Sequence, residues 1–320
     1  MKKIWNHVLC LIMVCVILAA SAMPVYAAGV IDTDQDVAFT VFYQKSGTII
    51  PGAKFDIYRV ADVNVDARMT LTDTFYHYPI NLDDLDQSGW DVLATTLKGY
   101  VWADALSPEV SGETADDGTM TVTLKPGLYL VIGYRRTVGE YTYSAAPFLV
   151  FLPGSDAEQN IWDYVVTAYP KAIAEKNPVD DPDDRLISRK VLKIWNDSGK
   201  ESSRPNEITV QLMCDGKLYD TVKLNAKNNW RYAWDNLERN HDWLVTEKSV
   251  EGYTQAVTQE GITFTVKNTV TPEKPTDPTK PTDPSLPQTG LLWWPVLPLL
   301  ALGLLFVVIG LHRCKGGAHE

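Results

Sequence analysis

The residues that could do chemistry in this 320-residue chain are polar groups set on apolar faces. Ile262, Phe264, Val266 and Asn268 recur at every second position, so Asn268 is expected to face inward, and Glu247 has the parity of Val245. A polar side chain aimed at a core demands a partner there. A carboxyl in such a dry site has its pKa raised. A lysine brought beside it loses hydration, drops in pKa and becomes a nucleophilic free amine. The protonated carboxyl can then polarise an amide carbonyl and relay protons to departing ammonia. Other groupings offer less. Asp32, Asp34 and Asp36 imitate a calcium loop, but position twelve would be Tyr43 and the central glycine is missing, so they read as a disordered acidic start. His77 and His241 are the only histidines between the chain's ends and fall in different predicted bodies, so no metal cluster or catalytic triad is expected. No cofactor is expected either, and no enzyme activity beyond a single self-directed turnover. Cys214 stands alone between a leader holding Cys10 and Cys15 and a tail holding Cys314, so no internal disulfide is available. A formal charge of −11 without a basic run argues against nucleic acid as a partner.

The elements that must position these groups are short strands. In the second half, Ile208, Val210 and Leu212 share a face opposite Thr209 and Gln211. Asp215-Gly216 signals a tight hairpin, Val222 and Leu224 return, and Trp230, Tyr232 and Trp234 alternate. In the first half, strands are predicted at 37–43, 54–60, 120–124, 127–133, 147–152 and 164–169. Trp90, Leu93, Ala94 and Leu97 recur at helical spacing, with Gly99 as the helix stop. The fold class is therefore all-β: two sandwiches in tandem, the first (30–171) with an inserted helix, the second at 187–270. A polar, proline-interrupted linker at 172–186 joins them. Residues 271–285 repeat Lys-Pro-Thr-Asp-Pro, a composition that favours an extended polyproline stalk. From there to Thr289 the chain would reach about 59 Å.

The ends fix the compartment. Residues 1–27 combine Lys2-Lys3, an apolar run and Val25-Tyr26-Ala27, the pattern of a cleaved secretory signal peptide. Residues 291–311 carry no charge and would span about 32 Å as a helix, enough to cross a membrane, with a cytoplasmic tail at 312–320. Directly before that span stands Leu286-Pro287-Gln288-Thr289-Gly290. This resembles the LPxTG wall-sorting signal of Gram-positive surface proteins. The resemblance implies that a sortase cysteine attacks the Thr289 carbonyl, and that Thr289 passes to an amine of peptidoglycan. The implied location is the extracellular cell wall, with a membrane-inserted precursor.

Two further resemblances cover the exported region. Lys193-Ile194-Trp195-Asn196-Asp197, Arg204-Pro205, Asn229-Trp230-Arg231-Tyr232, Leu244-Val245-Thr246-Glu247 and Phe264-Thr265-Val266-Lys267-Asn268-Thr269 resemble, in order, the CnaB-like domains of Gram-positive adhesins and pilins. In that family a first-strand lysine and a last-strand asparagine join spontaneously, assisted by a glutamate. The matching positions are Lys193, Asn268 and Glu247. Such a bond closes a 75-residue loop and would stabilise by about 4–5 kcal/mol on the chain-entropy relation for cross-links. Trp162 to Lys171, with Val166, Tyr169 and Pro170, resembles the pilin motif WxxxVxVYPK, with Ala168 as the one departure. The resemblance implies that Lys171 is the amine joined to another pilin subunit's sorting threonine, held at a strand end where Pro170 stops pairing. The first body places Tyr43 and Gly133 where related domains place a reactive lysine and glutamate, and Lys45 is the only near alternative, so no bond is expected there. The combined reading is a wall-anchored structural subunit of a sortase-assembled pilus, minor and basal. The runner-up is a monomeric LPxTG adhesin for a host or glycan ligand.

Overall fold

A computed structural model describes residues 29–83, 85–156, 161–177 and 185–271. The segments expected to be a signal peptide, a stalk beyond Thr271, a sorting signal at Leu286 to Gly290, a membrane span and a tail lie outside these described residues. Among the described residues no helix is long and apolar enough to cross a membrane.

The first half contains β1 (Val37–Phe42), β2 (Gln44–Lys45), β3 (Thr48–Ile49), β4 (Lys54–Val63) and β5 (Met69–Leu71) ahead of α1 (Gln87–Ala103). After the helix come β6 (Val110–Glu113), β7 (Thr119–Leu124), β8 (Gly127–Gly133), β9 (Arg136–Val138), β10 (Tyr141–Ala145) and β11 (Phe148–Leu152). The half closes with β12 (Gly154–Asp156), β13 (Ile161–Asp163), β14 (Val165–Ala168) and β15 (Ala172–Lys176). One sheet runs β14-β1-β7, and the larger runs β11-β8-β4-β5 with β6 also on β4. Val37, Phe39 and Val41 alternate inward, as a half-buried strand must. β8 is buried at every position. Its Tyr129 and Val131 pack into the inter-sheet core with Phe39 and Phe55, while Leu128, Leu130 and Ile132 pack under α1. Strand and helix thus make the first half three layers deep, which explains why Gly127-Leu-Tyr-Leu-Val-Ile-Gly133 reads as an unbroken apolar run.

The second half contains β16 (Leu186–Asn196), β17 (Glu207–Cys214), β18 (Lys217–Asn225), β19 (Arg231–Glu238), β20 (Trp243–Glu247), β21 (Tyr253–Glu260) and β22 (Thr263–Val270). Two antiparallel-dominated sheets, β19-β16-β22-β21 and β18-β17-β20, form a sandwich. Its first and last strands run parallel, Lys193 opposite Val266 and Trp195 opposite Asn268. Asp215 (φ 48°) and Gly216 (φ 80°) make the two-residue turn between β17 and β18, as the Asp-Gly pair predicts.

Four features differ from the sequence reading. Gly99 does not stop the helix, which runs on to Ala103. A Cβ at Gly99 would lie 3.0 Å from Thr246 Oγ1, so its glycine serves close approach to β20. The helix is not merely an insertion in the first sandwich, because Leu97, Tyr100 and Val101 share one core with Val245, Phe264 and Val266 of the second. Residues 172–176, read as the start of a linker, form β15 on β10, Ala172 opposite Ala145. The acidic start is packed rather than disordered: Ile31 is buried and its N–H donates to Val65 O at 2.9 Å.

Candidate functional site

The inward parities of β16, β20 and β22 converge in the second sandwich. Lys193, Glu247 and Asn268 are all buried, and the side chains of Lys193 and Glu247 have no exposed surface at all. Lys193 Nζ lies 3.4 Å from Glu247 Oε2. Asn268 Nδ2 lies 3.3 Å from the other carboxylate oxygen, Oε1. Glu247 therefore bridges the amine and the amide. Asn268 Oδ1 is buried without a hydrogen-bond partner, a state that costs free energy in a site with no other purpose.

Burial pushes the Lys193 amine down to about 8, against the opposing attraction of Glu247. Burial likewise raises Glu247, with Lys193 and then Asn268 pulling the other way. Both directions favour a neutral pair, the free amine facing a protonated carboxyl. Aromatic rings close the site. Trp195 lies 4.4 Å below Lys193 Nζ and packs edge-on against Trp230 and Tyr253. Beyond them Arg204 holds buried Asp197 through two nitrogens, Nε at 2.6 Å and Nη2 at 2.5 Å, and Tyr253 donates to the same carboxylate at 3.1 Å.

How Glu247 is held has no signal in the residue pattern. Gln255 on β21, oriented to satisfy its hydrogen-bond network, accepts from Glu247 N–H and donates to Glu247 C=O and to Tyr100 Oη, each at 3.1 Å. Tyr100 comes from α1, so the helix of the first half reaches the backbone of the bridging carboxylate. A long-range pairing of this kind has no local signal in sequence.

Around Tyr43 and Gly133 the first half packs aromatic rings, with the Tyr43 hydroxyl buried and unpartnered. Tyr43 and Phe55 pack edge-on at 5.3 Å, and a Cβ at Gly133 would lie 2.6 Å from the Phe55 ring and 2.8 Å from Ala145 Cβ. Lys45 is exposed on β2.

Lys171 sits between β14 and β15 with its side chain 78% exposed, 3.3 Å from Asp91 on α1. Tyr169 is exposed against Phe42, Val166 is half-buried, Pro170 is buried, and Trp162 Nε1 donates to Gly29 O. Pro170 does not end the sheet structure. The chain runs on and re-enters pairing one residue after Lys171, with Ala146 N–H donating to Lys171 O at 3.2 Å. A groove lined by Asp91, Thr95, Pro147, Phe148, Tyr169 and Lys171 adjoins the amine. At the far end of the second sandwich, Cys214, Asp215 and His241 meet, a grouping that counting histidines alone overlooks.

Residues 189–269 match the model of the Cna protein B-type domain. The collagen adhesin of Staphylococcus aureus is 36% identical over 83 residues, which are 24% of this chain and 7% of the adhesin. Among solved structures, a single B repeat unit of the collagen binding surface protein of Staphylococcus aureus is 16% identical, with a TM-score of 0.27 over 74% of this chain and 99% of that one. The SpaE basal pilin of Lactobacillus rhamnosus GG is 13% identical, with a TM-score of 0.32 over 70% and 83%. Likeness at those scores adds nothing to the fold described above. The sequence match and the sandwich fall on one segment: residues 189–269, which form β16 to β22, are similar to the Cna protein B-type domain.

Proposed function

We propose that this chain is a wall-anchored structural subunit of a sortase-assembled surface fibre, and that its second sandwich locks itself with a Lys193–Asn268 isopeptide bond. The observation that carries the bond is the Glu247 bridge, one oxygen toward the amine and the other toward the amide nitrogen. The neutral Lys193 Nζ attacks Asn268 Cγ. The proton lost from Nζ passes through the Glu247 carboxyl to Nδ2, the Cγ–Nδ2 bond breaks, ammonia leaves, and a Nζ–Cγ amide remains. Lys193 neutral with Glu247 protonated, and the ion pair, hold the same number of protons. The reactive form is therefore drawn from the singly protonated pair, which is lost below and above the pair's two apparent pKa values. Intact mass tests the bond: loss of ammonia lowers the mass by about 17 Da. The full mass should return in Lys193→Ala, Asn268→Ala and Glu247→Ala. Wild-type protein at full mass would reject it.

Assembly rests on Lys171 and on Leu286 to Gly290. The exposed amine beside an open groove supports a role as acceptor for another subunit's sorting threonine, and the LPQTG string supports transfer of Thr289 to peptidoglycan. The partners are a wall-anchoring sortase, a pilin-type sortase, peptidoglycan and sibling subunits. The proline-rich stalk favours a minor, wall-proximal position, which antibody labelling of sections would separate from a shaft position. A second reading, a lone adhesin binding a host or glycan ligand, is favoured by the 36% identity to a collagen adhesin. The two part at Lys171. A fibre subunit gives a detergent-resistant ladder that disappears in Lys171→Ala, and an adhesin gives a single species in both.

A further inference from the structure

The β17–β18 turn and the loop between β19 and β20 bring together a thiol, a carboxylate and an imidazole. One ligand atom each from Cys214, Asp215 and His241 lies within 4.8 Å of the others. His241 Nδ1 is 2.5 Å from Asp215 Oδ2, and its other nitrogen, Nε2, is 3.2 Å from Glu238 Oε2. The loops are fixed from below: Asp242 N–H donates to Asp215 Oδ1 at 2.7 Å, and Asp215 N–H donates to Asp242 O at 2.9 Å. We infer that Cys214, Asp215 and His241 bind a divalent borderline-soft cation, zinc foremost, through Sγ, a carboxylate oxygen and Nδ1.

The donor set is the argument. Thiolate, imidazole and carboxylate together suit zinc, whereas calcium and magnesium take oxygen alone. Three protein ligands leave the fourth tetrahedral position to water. Glu238 stands where a supporting carboxylate belongs, accepting from Nε2–H, and it would hold that proton in place once the cation displaces the one between Nδ1 and Asp215. Burial, and then Asp215, Glu238 and Asp242, push the Cys214 thiol up to about 11, and a cation in their midst reverses that direction. Binding replaces the Cys214 S–H proton by a metal–sulfur bond and the proton between His241 Nδ1 and Asp215 Oδ2 by metal–nitrogen and metal–oxygen bonds, releasing both protons with no change in oxidation state. The result is a clamp between two turns at the end of the sandwich, next to Asp242, whose carboxylate is paired at 2.6 Å with Lys98 of α1.

Cobalt(II) reads the site directly, because a thiolate ligand gives it a charge-transfer band. The full chain in detergent, stripped with chelator, should develop that band with one equivalent of cobalt and lose it on adding zinc. Cys214→Ser and His241→Ala should each abolish the band, and Glu238→Gln should weaken cobalt binding about tenfold. His241 is part-exposed on a loop, so its removal keeps the test valid if Cys214→Ser folds poorly. No band, a band that persists in Cys214→Ser, or only the weak spectrum of an octahedral oxygen site would overturn the assignment.

Discussion

Asn268 is the residue whose removal separates bond from burial. Asn268→Ala deletes the electrophile but leaves Lys193 and Glu247 facing each other in a dry site. We expect it to lower unfolding stability by at least about 4 kcal/mol, the cross-link's share for a 75-residue loop, as measured by denaturant midpoint. Glu247→Gln should leave the fold in place and the mass at its unbonded value, because an amide cannot relay the proton. Asp197 gives a pH signature. The Arg204 guanidinium, with help from Tyr253, holds its carboxyl below the usual range. Its stabilisation is present above an ordinary aspartate's pKa of about 4 and is lost as pH falls through the lowered value. The difference in melting temperature between wild type and Arg204→Ala should therefore be full at neutral pH and close in acid. Parity makes the inward positions of Asn268 and Glu247 legible, because polar residues stand out against apolar alternation, whereas Lys193 is picked out only by the resemblance to CnaB-like domains. Gln255 and Tyr100 were not legible, since their roles depend on a strand and a helix far apart in sequence meeting at one backbone.

At the scale of elements, the helix carries the main departure. Its apolar spacing was plain, but Gly99 looked like a stop because a glycine after an apolar stretch has two uses, ending a helix or admitting a close neighbour. Thr246 decides between them. Gly99→Leu should overpack the contact with β20 and cost about 1–3 kcal/mol, seen as a lower melting temperature with the isopeptide mass unchanged. The six strands expected in the first half lie within three residues of β1, β4, β7, β8, β11 and β14, since alternation is a local signal, while the short β5, β6, β9 and β10 carried no such signal. β15 was missed because Ala172–Lys176 is exposed at four of its five positions and carries no apolar rhythm.

For the molecule as a whole, the shared core makes residues 29–271 one unit. Lys98–Asp242, Thr96 to Val257 N–H at 2.9 Å and the Tyr100 contact tie α1 to the second sandwich. Thermal unfolding should show one cooperative transition, and Lys98→Met with Gly99→Leu should split it in two, as followed by calorimetry. The connection between bodies could not be read from sequence, because each body's pattern alone accounts for a complete sandwich.

The place of Lys171 between β14 and β15 bears on where tension runs. A pull applied to that amine and resisted at Thr289 follows the backbone from β15 into β16 and out through β22. Along the backbone it bypasses β1 to β14, and it bears on them through the β15–β10 seam and through the contacts of α1 with the second sandwich. The first sandwich is braced against that path through α1 rather than threaded onto it, whereas the second sandwich lies in series, and the proposed Lys193–Asn268 bond would let tension pass from β16 to β22 without drawing out the strands between them.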